Sequence, residues 1–319
     1  MQSFGRRRRP RRLPPLRPLP LVAVALASAL LATAAFVTHR LWPLTDRAAG
    51  AIDAPGLTVA PGGGGTAPAP VKLVAGPPAG RPARIRARAA IVVDRTTGRV
   101  LWQKGAHRRL PIASLTKLMT ASVAVDRRMD ATFRITQAMT GVPGYTLGLR
   151  AGDRVTERRM LAAALIASAN DAANALAVHR SGSVARFVGR MNAEARTLGL
   201  SDTRYSNPSG IFDAGNHSSA WDQAELSLRI LDQPLLRRMV AAKAYTAGPT
   251  ATYVSRNTLL WHYRGAIGIK TGQTTAAGNC IAAAARRKGR SIVVVLLHVE
   301  GDEFATAGRL LDWGFRHDG

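Results

Sequence analysis

Strand-forming runs at both ends of residues 84–319, with helix-forming ones between them, leave little choice of architecture. Ala89-Ala90-Ile91-Val92-Val93-Asp94 and Arg99-Val100-Leu101-Trp102-Gln103 flank the turn signal Thr96-Thr97-Gly98, which predicts a hairpin. Toward the other end, Ala266 to Thr271, Asn279 to Ala285 and Ile292 to His298 are three more strand candidates, with a turn at Gly289. The middle reads as helix over 114–125, 157–167, 171–179 and 184–198, and 303–315 closes the chain as another helix. Two chain ends that both supply strands must share one sheet. The expected fold class is therefore α+β, with a helical lobe inserted between the hairpin and the last strands.

The segment before residue 84 has a different character. Residues 6–17 are dominated by Arg and Pro, and Leu21 to Val37 carries no charge. A basic flank followed by an apolar run predicts insertion into a membrane with the N-terminus inside. Residues 1–20 are then a cytoplasmic segment. Residues 21–44 are either a signal peptide, cut near Ala32-Thr33-Ala34, or an uncleaved anchor extended by Phe36, Val37, Leu41 and Trp42. Residues 45–83, with Pro61-Gly62-Gly63-Gly64-Gly65 and Pro77-Pro78, read as a disordered linker. The folded domain is expected over 84–319, on the extracytoplasmic face of a plasma membrane, or secreted if the signal is cleaved.

The net charge of +26 invites a nucleic-acid partner. No homeodomain-like, zinc-finger or RNP pattern accompanies it, aromatic residues are only 5%, and export would remove the domain from nucleic acid. A solvated basic face, or attraction to anionic wall polymers or lipid headgroups, is the better reading. The single cysteine, Cys280, lies in an apolar run and reads as a small buried hydrophobe. The seven histidines show no paired metal-ligand spacing, so neither a metal site nor a cofactor is expected.

Of 45 basic residues only six are lysine. Arginine stays charged in a protein, whereas a buried lysine can be neutral and act as a base. Lys117 closes Ser114-Leu115-Thr116-Lys117, and on a helix residues three apart share a face. Burial and a second nearby cation would lower its pKa, so that it accepts the Ser114 proton and frees an alkoxide for attack on an acyl carbon. Lys270, opening Lys270-Thr271-Gly272, would be that second cation if the fold brings it alongside. Ser168-Ala169-Asn170 lies between the two in sequence. Each motif alone has a bland explanation, a surface pair on a helix or a strand ending in a turn. The three in this order point to a serine acyl-transfer enzyme with a lysine base.

The set resembles that of the penicillin-binding proteins and serine β-lactamases. Pro111-Ile112-Ala113-Ser114-Leu115-Thr116-Lys117, Ser168-Ala169-Asn170-Asp171, Tyr205-Ser206-Asn207-Pro208-Ser209-Gly210 and Gly268-Ile269-Lys270-Thr271-Gly272-Gln273-Thr274 look like low-molecular-mass D-alanyl-D-alanine carboxypeptidases, over about residues 88–316. The resemblance implies a β-lactamase/transpeptidase-like fold, an antiparallel sheet flanked by helices plus the inserted lobe. It implies removal of the terminal D-alanine from peptidoglycan pentapeptide stems, with β-lactams as covalent inhibitors. It makes Ser114 the nucleophile, Lys117 its base and Ser168 a proton relay to the leaving amine. Asn170 would bond the substrate or Lys117, Lys270 and Thr271 would hold the terminal carboxylate, and Gly272 would admit the substrate backbone. The amides of Ser114 and Gln273 would form the oxyanion hole. Gln273 departs from the His or Tyr often found there. Relatives often continue into a β-rich domain and a C-terminal anchor. Neither follows Phe315 here, which favours anchoring through residues 21–44.

Three other readings remain open. A DD-endopeptidase would use the same residues. A β-lactamase would need a glutamate to activate water, and Glu157, Glu194, Glu225, Glu300 and Glu303 fit no such motif. A catalytically degenerate wall-binding protein would have no reason to keep the Ser/Lys, Ser/Asn and Lys/Thr/Gly sets.

Overall fold

The computed structural model describes residues 71–317, apart from residues 127, 212–214 and 249–250. The expected membrane segment lies outside these residues. No helix among the described residues is long and apolar enough to cross a membrane.

In chain order the elements are β1 (Ala87–Asp94), β2 (Val100–Lys104), α1 (Thr116–Ala124), β3 (Thr132–Arg134), β4 (Arg154–Thr156), α2 (Glu157–Ala162), α3 (Asn170–Ser181), α4 (Val184–Thr197), α5 (Ala220–Asp232), α6 (Pro234–Ala241), β5 (Ala244–Ala247), β6 (Ala251–Val254), α7 (Leu259–His262), β7 (Ala266–Thr274), β8 (Gly278–Arg287), β9 (Arg290–Val299) and α8 (Glu303–Arg316). The hairpin and the last three strands form one five-stranded antiparallel sheet, ordered β2-β1-β9-β8-β7. This is the α+β layout expected from the two chain ends. The β8–β9 turn is the two residues Lys288 and Gly289, both at positive φ (47° and 83°), the geometry whose twist suits a tight hairpin.

The central strand β9 is apolar on both faces because both are covered. Val293, Val295 and Leu297 point into the core shared with the helical lobe. Ile292, Val294 and Leu296 point the other way, against Leu310, Leu311 and Trp313 of α8. Strict alternation of apolar and polar residues is therefore absent from β9, although the sheet is antiparallel. Helix α8 is fixed at its start by Asp302, whose carboxylate accepts from the Phe304 and Ala305 amides at 2.8 and 3.0 Å. On the lobe side, α1 is the central element, with Lys117, Leu118 and Met119 fully buried.

Three expectations need correcting. Residues 71–83 are not free linker. Val74 bridges to Arg99, the Ala79 amide donates to the Leu101 carbonyl at 2.9 Å, and the Leu73 amide donates to Glu225 Oε1 at 2.9 Å. Prolines there interrupt helix but leave extended chain free to pair along a sheet edge. The helix expected from Ser114 starts at Thr116, and Ser114 sits in a short 3₁₀ turn before it. The helix expected over 157–167 is α-helical only to Ala162, and 163–167 widens into a π-helical turn.

Because Leu310 is fully buried between α8 and β9, Leu310→Ala is expected to lower the unfolding free energy by about 2–5 kcal/mol. Urea denaturation followed by far-UV circular dichroism measures this.

Candidate active site

Local backbone geometry first decides where the nucleophile points. Ala113, just before Ser114, has φ 47°, and Ser168 has φ 65°. Such conformations are costly for residues with a Cβ and persist where the surroundings enforce them. At Ala113 the room is made by Gly210, where an added Cβ would lie 1.9 Å from the Ala113 carbonyl oxygen. At Ser168 the constraint is the π-helical turn, closed by the Ala169 amide on the Ala163 carbonyl at 3.0 Å. Gly272 acts in the same way from β7, since a Cβ there would stand 2.9 Å from the Ser114 amide nitrogen.

Lys117 Nζ lies 2.9 Å from Ser114 Oγ, 2.7 Å from Asn170 Oδ1 and 2.8 Å from the Ser209 carbonyl oxygen. The carbonyl and the amide oxygen can only accept. A neutral amine satisfies both with its two N–H groups and keeps a lone pair for the Ser114 hydroxyl. The neutral form is favoured electrostatically. Burial, then the charges of Lys270 and Arg256, hold the Lys117 pKa well below the usual lysine range. The expected serine–lysine pair is thus present, in surroundings that favour the neutral amine.

Lys270 Nζ is 2.9 Å from Ser168 Oγ and donates to the Thr271 carbonyl at 2.9 Å. Burial first, and Arg256 second, lower its pKa to about 7. Asn170 is occupied by protein at both ends of its amide, since its Nδ2 donates to the Pro143 carbonyl at 2.7 Å. Of the two roles implied for it, the structure shows the bond to Lys117.

These groups meet at a cleft of about 270 Å³ whose walls include Ser114, Ser168, Asn170, Thr271, Gly272 and Gln273. All eight residues singled out in the sequence come together there, with Lys117 and Lys270 buried just behind the wall. Gln273 is exposed on β7, the sheet edge that borders the cleft. Among the described residues the charged side chains on the walls are Arg256 and Glu303, and neither was singled out in the sequence. Arg256 stands 5.0 Å from the Tyr145 ring centroid, and its amide donates to the Ile166 carbonyl at 3.4 Å. Nothing marks it among the other arginines of the chain. Partial burial raises the Glu303 carboxyl above the usual range. Cys280 is buried on β8, paired with Gly272, with its thiol pushed up to about 12 by burial, as a small apolar residue would be placed.

If Lys117 must be neutral, acylation of Ser114 rises as pH climbs through the Lys117 pKa. Arg256 depresses both lysines, so Arg256→Ala is expected to raise their pKa values and move the rising limb to higher pH. The pH–rate profile of benzylpenicillin acylation tests this, and an unmoved limb refutes it.

Comparison with known proteins places this arrangement. The family model described as D-alanyl-D-alanine carboxypeptidase matches residues 76–301. The carboxypeptidase DacF of Bacillus subtilis is 33% identical over 241 residues, 72% of this chain and 62% of that protein. The D-alanyl-D-alanine endopeptidase of Escherichia coli is 32% identical over 240 residues, 72% of this chain and 77% of that protein. Among solved structures, a D-alanyl-D-alanine carboxypeptidase from Mycobacterium tuberculosis superposes with a TM-score of 0.71 at 31% identity, over 75% of this chain and 94% of that one. The match therefore spans under two thirds of the Bacillus protein but nearly all of the Mycobacterium chain. The chain belongs to the D-alanyl-D-alanine carboxypeptidase family of serine peptidases.

Proposed function

We propose that this family member removes the terminal D-alanine from peptidoglycan pentapeptide stems through an acyl-enzyme on Ser114. The observation that carries the reading is the three-point seat of buried Lys117, in which a neutral amine would turn its lone pair to the Ser114 hydroxyl. Ser114 Oγ attacks the carbonyl carbon of the penultimate D-alanine, and its proton passes to Lys117. The amides of Ser114 and Gln273 receive the developing oxyanion. The C–N bond breaks, and the departing D-alanine takes a proton delivered through Ser168, which Lys270 backs at 2.9 Å. Water then hydrolyses the ester and regenerates Ser114.

The leaving group carries a carboxylate, and Arg256 with the Thr271 hydroxyl is the pair on the cleft wall suited to it. Lys270 contributes to that anchorage from behind the wall, through its charge rather than by contact. β-Lactams enter the same route and stop at the ester. Residues 1–44 tether the domain to the outer face of the plasma membrane, a reading supported by the basic flank and the uncharged Leu21 to Val37 run. The same constellation serves an endopeptidase, the activity in the name of the Escherichia coli relative. The two readings differ only in whether the leaving amine is free D-alanine or one bound in a cross-link.

Intact-mass spectrometry with benzylpenicillin is expected to show a stoichiometric adduct that Ser114→Ala abolishes. D-alanine release from a pentapeptide is expected to fall by at least 10³-fold in the same variant, by analogy with the loss of a serine nucleophile elsewhere. A folded wild-type protein without an adduct would refute the reading. Cleavage of cross-linked dimers in preference to pentapeptides would move it to the endopeptidase.

A further inference from the structure

Glu303 is the unexplained group at this site. An acidic residue in the first turn of a helix ordinarily complements the helix dipole. That role is already filled, because Asp302 caps both the Phe304 and Ala305 amides. Glu303 instead lies on the wall of the catalytic cleft, partly buried. In a chain with 45 basic residues, no lysine, arginine or histidine among the described residues pairs with it. Its electrostatic neighbours are Asp302, the Cys280 thiol and its own backbone amide.

The position of Glu303 along the cleft gives it meaning. Thr271, Gly272, Gln273 and Thr274 line the cleft in order along β7. Arg256 belongs to the helical-lobe wall, near Tyr145 and Ile166. Glu303 approaches from the other side, where β8 meets the start of α8. Gln273 pairs with Asn279, whose Nδ2 donates to the Gly301 carbonyl at 3.0 Å, two residues before Glu303. The cleft thus carries a guanidinium on the helical-lobe wall and a carboxylate on the α8 wall. A peptide whose C-terminal carboxylate rests at Arg256 and Thr271, and whose acyl part follows β7 past Gln273, runs toward Glu303.

We propose that Glu303 is a specificity-determining residue that takes up a primary ammonium on the acyl side of the scissile bond, carried by the side chain of the residue preceding the two D-alanines. The inference rests on the D-alanyl-D-alanine peptidase reading and adds the chemistry of the third residue from the C-terminus. Partial burial of the carboxylate in the cleft wall strengthens its pull on an ammonium relative to a fully hydrated pair.

Two peptides test it with the full-length protein, Nα-acetyl-L-Lys-D-Ala-D-Ala with a free side-chain amine and the same peptide with that amine acetylated. The free-amine peptide is expected to have a kcat/KM about tenfold higher at low ionic strength, an advantage that shrinks with added salt. Glu303→Gln is expected to bring the ratio near one, and Glu303→Lys to invert it. A wild-type ratio near one overturns the assignment, whatever the variants do, and so does a preference that survives Glu303→Gln. Benzylpenicillin adduct formation, followed in parallel, separates the two levels of failure. Equal cleavage of both peptides with an intact adduct sinks only the role of Glu303. Absence of both adduct and cleavage sinks the serine-peptidase reading, and an adduct without cleavage of either peptide sinks the D-alanyl-D-alanine substrate.

Discussion

A lysine amine in a fully buried seat is the constraint on which the rest depends. Lys117 has no access to water, and a charged ammonium there would lose its hydration with only partial return. Its neighbours come from well-separated parts of the chain: Ser114 one turn before it, Asn170 at the start of α3, and the Ser209 carbonyl in the loop before α5. Holding all three within hydrogen-bond range requires the helical lobe to be packed around α1. The apolar, alanine-rich interior of α3, with Ala172, Ala173, Ala175 and Ala177 fully buried, allows that close approach. Core packing and base strength are therefore the same property of this molecule.

The second lysine makes the seat asymmetric. Lys270 is also buried, but its Nζ meets a hydroxyl and a backbone carbonyl, and its pKa near 7 allows the charge to persist through much of the neutral range. Each charge on one lysine discourages a charge on the other, and Arg256 discourages both. A permanently charged guanidinium at the wall is thus a tuning element as well as the proposed contact for the substrate carboxylate. Lysine cannot replace it in the first role, because a third titrating amine would share the proton rather than bias it.

How much of this was legible depended on the range of the interaction. Ser114 and Lys117 could be read together because three residues along a helix is a local distance. The pairing of Ser168 with Lys270, 102 residues apart, was visible only as recurring motifs in order. Arg256 was illegible because nothing local distinguishes an arginine that faces a cleft from one that faces solvent. Glu303 stood out in the sequence only as a glutamate that fits no water-activating motif, and the spare carboxylate emerged only once Asp302 was seen to cap the helix. Helices α5 and α6 were overlooked although Ser219 and Gln233 accept from the Asp222 and Leu236 amides as their caps. The β5–β6 hairpin lies partly at the surface, so burial imposes little pattern on it. The strap over residues 71–83 was misjudged because proline content was weighed above what an open sheet edge offers to extended chain.

That strap has a geometric corollary. Val74 and Ala79 join the domain beside Arg99 and Leu101, at the β2 margin of the sheet, whereas the cleft borders β7 at the other margin. Four strand spacings separate the two, about 19 Å. Tension or fluctuation in whatever chain precedes Val71 therefore meets the hydrogen bonds of the β2 margin, and that of the Leu73 amide to Glu225 on α5, before it can reach the nucleophile. The domain is held by one side and works with the other, like a tool gripped at the handle, and its working side is left free to turn toward a polymer.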